Sequence, residues 1–138
     1  ERAQKEFPGV LYEYELEEYK DTFVHEVELL DPEQNKKHEI KIDISSGEVV
    51  QAFTERGNPW FEKDEAMDAA KTIKKRGFSM LNAMAQLPRD GSTLLTDAKF
   101  KQTQGISFFE LEFFGQNGEE EILVNAATQS IIPRFKKN

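Results

Sequence analysis

Two parts of this chain, about eighty residues apart, follow the same pattern, and this repetition constrains the fold more than any other feature. IDISSGEVV (42–50) and VNAATQSII (124–132) each run from a strand-like stretch through a polar turn to an apolar pair. The segments that precede them also correspond, 14–18 to 98–102 and 25–30 to 109–114. Self-similarity at a fixed offset indicates a repeated structural unit, so the sequence predicts that one unit occurs twice.

Apolar and polar side chains alternate along 10–17, 23–30 and 38–44, and this period of two is typical of β-strands. In 10–17, the even-numbered residues are predicted to lie on one face of the strand. The glutamates, at odd-numbered positions, are predicted to lie on the other face. The turn-rich connector between the second and third segments predicts a hairpin. That hairpin would bring Lys41 to the same face as Glu26, as a cross-strand charge pair.

A helix is predicted between the two copies, because apolar residues recur at helical spacing from Ala66 to Met84. Gly77 interrupts it at a cost of about 1 kcal/mol relative to Ala, which marks a kink or a break. If each unit is a helix followed by strands, residues 1–6 are the end of the first unit's helix. The predicted fold class is therefore α+β, with two repeats (1–56 and 57–138) of a helix packed on a three- to four-stranded antiparallel sheet. On this prediction, the sequence lacks most of the first repeat's helix.

The acidic charge is concentrated at the N-terminal end. The formal net charge is −8, and residues 1–34 alone hold eleven acids against three bases, so the remainder is neutral overall. This distribution disfavours nucleic acid and anionic membrane surfaces as partners, because both require a basic footprint. Glu13, Glu15 and Glu17 therefore form either a solvated strand face or a docking surface for a basic protein.

Residue types that carry catalytic chemistry are scarce. The chain has no Cys, which excludes disulfides, zinc-thiolate sites and thiol nucleophiles. His25 and Glu26 begin like the zinc motif H-E-x-x-H, but position 29 is Leu and the segment alternates like a strand. We interpret His25 as a packed, hydrogen-bonded histidine, and we expect no catalytic residues, no metal ligands and no cofactor.

The turn in IDISSGEVV admits two interpretations. Asp43, Ser45 and Glu48 could supply oxygens to Ca²⁺, although Gly47 does not stand where an EF-hand loop requires glycine. Alternatively, Asp43 accepts hydrogen bonds from turn amides and Gly47 supplies a positive φ. The second copy favours the turn, because Asn125 keeps the hydrogen-bonding ability without the charge.

The aromatic residues near the C-terminus fall into two sets. Phe109 and Phe113 have the opposite parity to Phe108 and Phe114, so the two pairs cannot face the same core. One pair is predicted to be core, and the other to pack on the other repeat, on a partner or in a groove. Trp60 follows GNP, a sequence that interrupts regular secondary structure. Its side chain either packs within the linker or is exposed as an anchor for a partner.

These motifs resemble the PepSY repeat, and two copies would make the chain a tandem PepSY protein. In the first copy the resemblance rests on PGVLYEYEL (8–16), FVHEVEL (23–29) and IKIDISSGEVV (40–50). In the second it rests on EAMDAA (65–70), ISFFELEF (106–113) and ILVNAATQSII (122–132). The motif positions, to which we assign structural roles, are Glu26, Asp43, Gly47, Glu110 and Asn125.

The resemblance implies a non-catalytic module of the bacterial cell surface or exterior, of a kind proposed to inhibit or assist peptidases. We therefore expect a protein partner, with Glu13, Glu15, Glu17 and Trp60 as candidates for its surface. Two alternatives remain open, a structural spacer within a larger anchored protein and a small-ligand carrier with an aromatic groove. The oligomeric state is open as well.

The expected location is the cell envelope. No apolar run approaches the ~20 residues of a membrane span. The sequence begins at ERAQKEF without Met, so we expect a soluble fragment whose signal, lipid-attachment or membrane segment lies upstream.

Overall fold

The computed structural model describes residues 3–4, 7–56, 65–88 and 91–132. The chain divides into two compact units, Glu1–Gly77 and Phe78–Asn138. The first unit contains β1 (Val10–Tyr19), β2 (Thr22–Asp31), β3 (Lys36–Asp43), β4 (Val49–Arg56) and helix α1 (Glu65–Arg76). The second contains helix α2 (Met80–Met84), β5 (Leu94–Thr103), β6 (Ile106–Gly115), β7 (Gly118–Asn125) and β8 (Ile131–Ile132).

In the first unit each strand pairs antiparallel with the next, in the spatial order β4-β3-β2-β1. The predicted hairpin of β2 and β3 is confirmed, and Glu26 lies directly opposite Lys41. Successive residues of each strand in this unit point to opposite faces of the sheet, as in other antiparallel sheets. Neither face is uniformly apolar, and one of the two faces carries most of the charged side chains.

The alternation in β1 is broken by a β-bulge, so the prediction for 10–17 is wrong at its first residues. Leu11 pairs with Leu29, and the next regular pair is Glu13 with Glu28, which leaves Tyr12 as the extra residue. Tyr12 therefore does not share a face with Tyr14. A bulge of this kind reverses which face the odd- and even-numbered residues of the strand occupy. The pattern of apolar residues in the sequence does not reveal it.

Apolar side chains lie on both faces of the first unit's sheet. On one face Leu29, Ile40 and Ile42 are buried together with Ala3. Residues 3 and 4 are helical, and the Phe7 amide donates to the Ala3 carbonyl at 2.9 Å. On the other face Leu30 packs against helix α1. The unit thus has two apolar clusters, one on each side of β2.

Helix α1 belongs to the first compact unit by its contacts. Its residues Met67 and Ala70 are buried against Leu30, and Lys74 forms an ion pair with Glu33 in the loop after β2. The helix ends at Arg76, and Gly77 adopts a positive φ of 69°. The break considered from the sequence occurs there, because a residue in the left-handed region ends a helix.

The second unit is built on the order β5-β6-β7-β8. Phe109 and Phe113 are buried, whereas Phe114 is 49% exposed, so the pair at 109 and 113 is the core pair. Helix α2 lies against β5 and β6 and buries Met80. Its first turn is capped by the Ser79 hydroxyl, which accepts from the Asn82 amide at 3.2 Å.

The internal registers of the two units correspond. In each unit the second and third strands pair at equivalent positions, Val27 with Ile40 and Leu111 with Ile122. The bulge recurs as well, since the second unit's register shifts between Leu95 and Asp97.

The α+β class is correct, with four strands in the described part of each unit. The compact units divide at Gly77, whereas the repeat boundary was placed after 56 from sequence similarity. Contacts and sequence similarity define different borders, so the repeat boundary and the tandem assignment stay predictions. Within the described ranges, no helix is long and apolar enough to cross a membrane.

Candidate functional site

One face of the first unit's sheet carries a dense set of ionised side chains, which we call the charged face. Cross-strand pairing places them side by side, since directly opposed residues share a face. Its members are Glu13, Glu15, Glu17, Glu26, Glu28, Lys37, Glu39, Lys41 and Glu55. Glutamates outnumber lysines on this face, so it has a negative net charge.

Lys41 lies at the centre of the charged face. Its Nζ atom is 2.9 Å from Glu17 Oε2 and 3.4 Å from Glu26 Oε2, and it stands 5.3 Å from the centre of the Tyr19 ring. The Lys41–Glu26 pair predicted from the sequence is confirmed. The contact with Glu17 was not predicted, because it depends on the register of β1 beyond its bulge.

Lys37 is the second cation of the charged face. Its Nζ atom lies 3.4 Å from both Glu28 Oε1 and Glu39 Oε1. Burial raises the pKa of Glu28, and the positive charge of Lys37 partly offsets this effect. Both lysines of the face are therefore engaged with two carboxylates each, which leaves acidic groups in excess.

Glu17 and Glu26 interact directly on the charged face. A hydrogen bond that the protonated Glu26 carboxyl donates to the Glu17 carboxylate, together with burial, raises the pKa of Glu26 to about 7, and the same hydrogen bond lowers the pKa of Glu17. Two carboxyl groups joined by a hydrogen bond share one proton, because ionising both is unfavourable. Lys41 stabilises the charge that remains.

We expect the Glu26 carboxyl group to titrate near pH 7 in the folded protein, against an ordinary value of 4.5. A raised pKa means that the fold favours the protonated form. The resulting stabilisation is complete below pH 4.5 and is lost as the pH rises through about 7. The titration can be followed by ¹³C NMR of the Glu26 Cδ resonance.

The Glu17→Gln variant provides the control for this titration. Its amide can donate to the Glu26 carboxylate and carries no charge, so the midpoint should move down toward 4.5. A wild-type midpoint already close to 4.5 would contradict the shared proton.

Both histidines lie on the opposite face of the sheet and are packed. His25 Nδ1 is 2.7 Å from the Tyr14 hydroxyl, and His38 Nδ1 is 2.8 Å from Thr54 Oγ1. Burial lowers the pKa of each histidine and raises the pKa of Tyr14 to about 12. The structure thus places His25 in a hydrogen-bonded pair, as interpreted from the sequence.

The turn that follows β3 is held by Asp43. Its carboxylate accepts from the Ser45 amide at 3.1 Å and from the Ser46 hydroxyl at 3.0 Å. The hydrogen bond from the Ser45 amide is the main cause that lowers the pKa of Asp43. Gly47 closes the turn with φ 72°.

The equivalent turn in the second unit is held by an amide side chain. Asn125 Oδ1 accepts from the Ala127 and Thr128 amides at 2.9 and 3.0 Å. Gln129, at the position of Gly47, adopts φ 61° although it carries a side chain. Both turns use the oxygen of the residue that ends the third strand for hydrogen bonding within the chain.

Replacing Asn125 by Ala should lower the free energy of unfolding by about 1 kcal/mol, because two turn amides lose their acceptor. Asn125→Asp retains the acceptor oxygen and should cost clearly less. Urea denaturation followed by circular dichroism measures both values. Equal losses for the two variants would show that the side-chain oxygen does not hold the turn.

The second unit contains a smaller acidic group. Glu110, Glu112 and Glu121 each present a carboxylate oxygen, and these oxygens lie within 4.8 Å of one another. Lys101 Nζ is 2.8 Å from Glu110 Oε2, so this group already has a cation. With one oxygen each, the three carboxylates would need water or further groups to complete the six to eight oxygens that Ca²⁺ binds. Glu110 was noted as a motif position, but its proximity to Glu121 was not predicted, because the group forms only through the pairing of β6 with β7.

Of the candidate partner residues predicted from the sequence, the structure describes the three on β1. Glu13, Glu15 and Glu17 lie together on the charged face. Trp60 lies outside the described residues.

The fold and the charged face define an α+β protein of antiparallel strands with a carboxylate-rich surface. Residues 1–51 match the family model "PepSY: Peptidase propeptide and YPEB domain". The match spans β1 to β3, the Asp43 turn and the start of β4. The match covers less than half of the chain's 138 residues, so membership of the family stays a prediction for both units.

The fold is also similar to that of a solved protein from Clostridium difficile 630 described as a "putative lipoprotein". The TM-score is 0.55 at 17% identity, and the similarity covers 95% of this chain and 84% of that chain. At this identity the likeness concerns the fold. No curated protein matches the sequence.

Proposed function

We propose that this chain is a non-catalytic module of the cell envelope that binds a protein and modulates a peptidase. The observation that carries the proposal is the match of residues 1–51 to a family named for peptidase propeptides. The similar fold of a protein described as a lipoprotein supports an envelope location.

The arrangement of the described side chains suits binding better than catalysis. General acid–base catalysis requires a group held against the reacting atoms in a dry pocket. Here the carboxylates of the charged face lie on a sheet surface, and each histidine is engaged with a hydroxyl group. A partner with a basic surface would meet complementary charge over three adjacent strands.

The test is the activity of a secreted zinc metallopeptidase on a fluorogenic peptide, measured with increasing amounts of this protein. We expect inhibition with a Kd on the order of micromolar, about −8 kcal/mol of binding free energy. Size-exclusion chromatography with light scattering should detect the complex. If neither inhibition nor a complex is found with a panel of such peptidases, the proposal is wrong.

A matched pair of variants locates the contact. Glu13→Gln/Glu15→Gln/Glu17→Gln removes three carboxylates from β1 and should weaken inhibition. Glu119→Gln/Glu120→Gln/Glu121→Gln makes the same charge change on β7 and should leave inhibition unchanged. Equal effects from the two triple variants would indicate that net charge, rather than the charged face, determines binding.

A further inference from the structure

One buried side-chain nitrogen of the first unit has no hydrogen-bond partner among the described residues. It is Nε2 of His38, a histidine that is only 5% exposed. The other ring nitrogen, Nδ1, lies 2.8 Å from Thr54 Oγ1 on β4. Buried polar atoms are nearly always paired, so an unpaired one requires a physical explanation.

The two protonation states of His38 differ in what they require of their surroundings. A neutral imidazole has one N–H group and one bare nitrogen. When Nδ1–H donates to Thr54, Nε2 is the bare nitrogen and has no proton to place. The imidazolium ion carries an N–H on both nitrogens, so Nε2 would become a charged donor without an acceptor. A buried, unpaired charged donor is costly, and the site therefore fits the neutral ring.

The charged groups on the same face of the sheet do not supply the missing acceptor. Asp31, at the end of β2, is itself buried, and its Oδ1 atom accepts from two backbone amides of the following turn at 3.0 and 3.3 Å. Lys36 precedes His38 on β3 and stands opposite Arg56 of β4, so both add positive charge. Burial is the main cause that lowers the pKa of His38. Lys36 acts in the same direction and Asp31 opposes it.

The N-terminal residues cover His38. The centre of the Phe7 ring lies 5.3 Å from that of the imidazole ring. Phe7 also packs on the apolar cluster in which Ala3 is buried against Leu29 and Ile40. Backbone ladders join β2, β3 and β4, whereas the hydrogen bond from the Phe7 amide to the Ala3 carbonyl is internal to the N-terminal residues. A terminal segment docked through its side chains separates at a lower cost than a paired strand.

We propose that His38 is a pH-sensitive switch for the docking of the N-terminal residues. The neutral ring keeps Phe7 and Ala3 against the sheet, and the protonated ring releases them so that water reaches Nε2. Release uncovers the apolar cluster beneath them, which includes Leu29 and Ile40. The switch acts in the free protein and does not depend on a peptidase partner.

The direction of the pH dependence follows from the burial of the ring. Burial lowers the pKa of His38 below its ordinary value of 6.5 in the docked state, so the released state binds the proton more tightly. Docking is therefore fully favoured above pH 6.5 and weakens as the pH falls below that value. His25, the other histidine of the chain, lies on the same face and also has its pKa lowered by burial, so it requires a control.

Nuclear Overhauser spectra of the wild-type protein at about pH 7.5 and about pH 5 test the switch. The cross-peaks that join Phe7 and Ala3 to Leu29 and Ile40 should lose at least about half of their intensity at the lower pH. Cross-peaks between paired residues of β2 and β3 should persist, because the sheet itself does not open.

Three variants locate the effect. His38→Gln removes the titrating ring while its amide can still bond to Thr54, so the Phe7 cross-peaks should no longer depend on pH. His25→Gln is the matched control and should leave the release unchanged. Glu26, with its pKa of about 7, is present in every variant, so its titration cannot produce a difference between them. Phe7→Ala opens the cover and should raise the pKa of His38, followed by ¹³C NMR of the imidazole, toward 6.5.

Four results would overturn the inference. The first is retention of the Phe7 cross-peaks at about pH 5, as would follow if Asp31 paired with the imidazolium ion. The second is an equal loss of these cross-peaks in His38→Gln, and the third is their retention in His25→Gln. The fourth is a parallel loss of the β2–β3 cross-peaks, which would mean that the whole unit unfolds. The wild-type spectra need no variant, so a variant that fails to fold leaves the test intact.

Discussion

Replacing Phe109 by Ala should lower the free energy of unfolding by about 3–5 kcal/mol. Phe109 is 1% exposed, lies between Phe100 and Val124 on the neighbouring strands, and has its ring centre 5.5 Å from that of Phe100. Truncation removes the buried ring and leaves a cavity that the flanking strands cannot close. Small domains have about 5–15 kcal/mol of stability in total, so this loss should be evident.

The control for this variant is Phe114→Ala in the same strand. Phe114 has the opposite parity and is 49% exposed, so its truncation should cost less than about 1 kcal/mol. Urea denaturation monitored by circular dichroism gives both values. Comparable losses would mean that the assignment of the core face of β6 is wrong.

The alternation of odd- and even-numbered strand residues between the two faces explains how much of this part of the fold the sequence could predict. Since successive strand residues alternate between faces, Phe109 and Phe113 had to share a face and Phe114 had to lie on the other. The sequence did not say which face was buried. Burial depends on which elements cover the sheet, and helix α2 covers the face that contains Phe109.

The position of helix α1 shows where the sequence was insufficient. The sequence showed the helical spacing and the break at Gly77. The comparison of the two repeats, however, assigned the whole helix to the second repeat. In the structure Met67 and Ala70 contact Leu30 of the first unit. Apolar periodicity defines which face of a helix is buried, and it does not define the sheet against which that face packs.

The charged face was partly predictable for a similar reason. Pairing of two strands joined by a short connector follows from the chain, so Lys41 could be placed beside Glu26. The approach of Glu17 required the correct register of β1, which the bulge after Leu11 determines. A single extra residue changes which side chains are neighbours across a sheet.

Replacing Gly9 by Ala should lower the free energy of unfolding by about 3 kcal/mol, although the change adds a single methyl group. Gly9 precedes β1 with φ 137°, a value that residues with side chains rarely adopt. A Cβ atom at this position would lie 2.9 Å from the Leu30 carbonyl oxygen and 3.0 Å from its carbon. These are backbone atoms of a strand whose side chain at Leu30 is fully packed, so they cannot move aside cheaply.

Gly47→Ala separates the steric effect from the conformational one. Gly47 also has a positive φ, 72°, but a Cβ atom there would meet nothing within 4 Å. Its replacement should cost about 1–2 kcal/mol, the usual penalty for a side chain in the left-handed region. If Gly9→Ala is no more destabilising than Gly47→Ala in urea denaturation, the close approach of Gly9 to Leu30 does not constrain the fold. A larger loss at Gly9 would mean that β1 enters the sheet through a contact that only glycine permits, which explains why Gly9 stands directly before the strand.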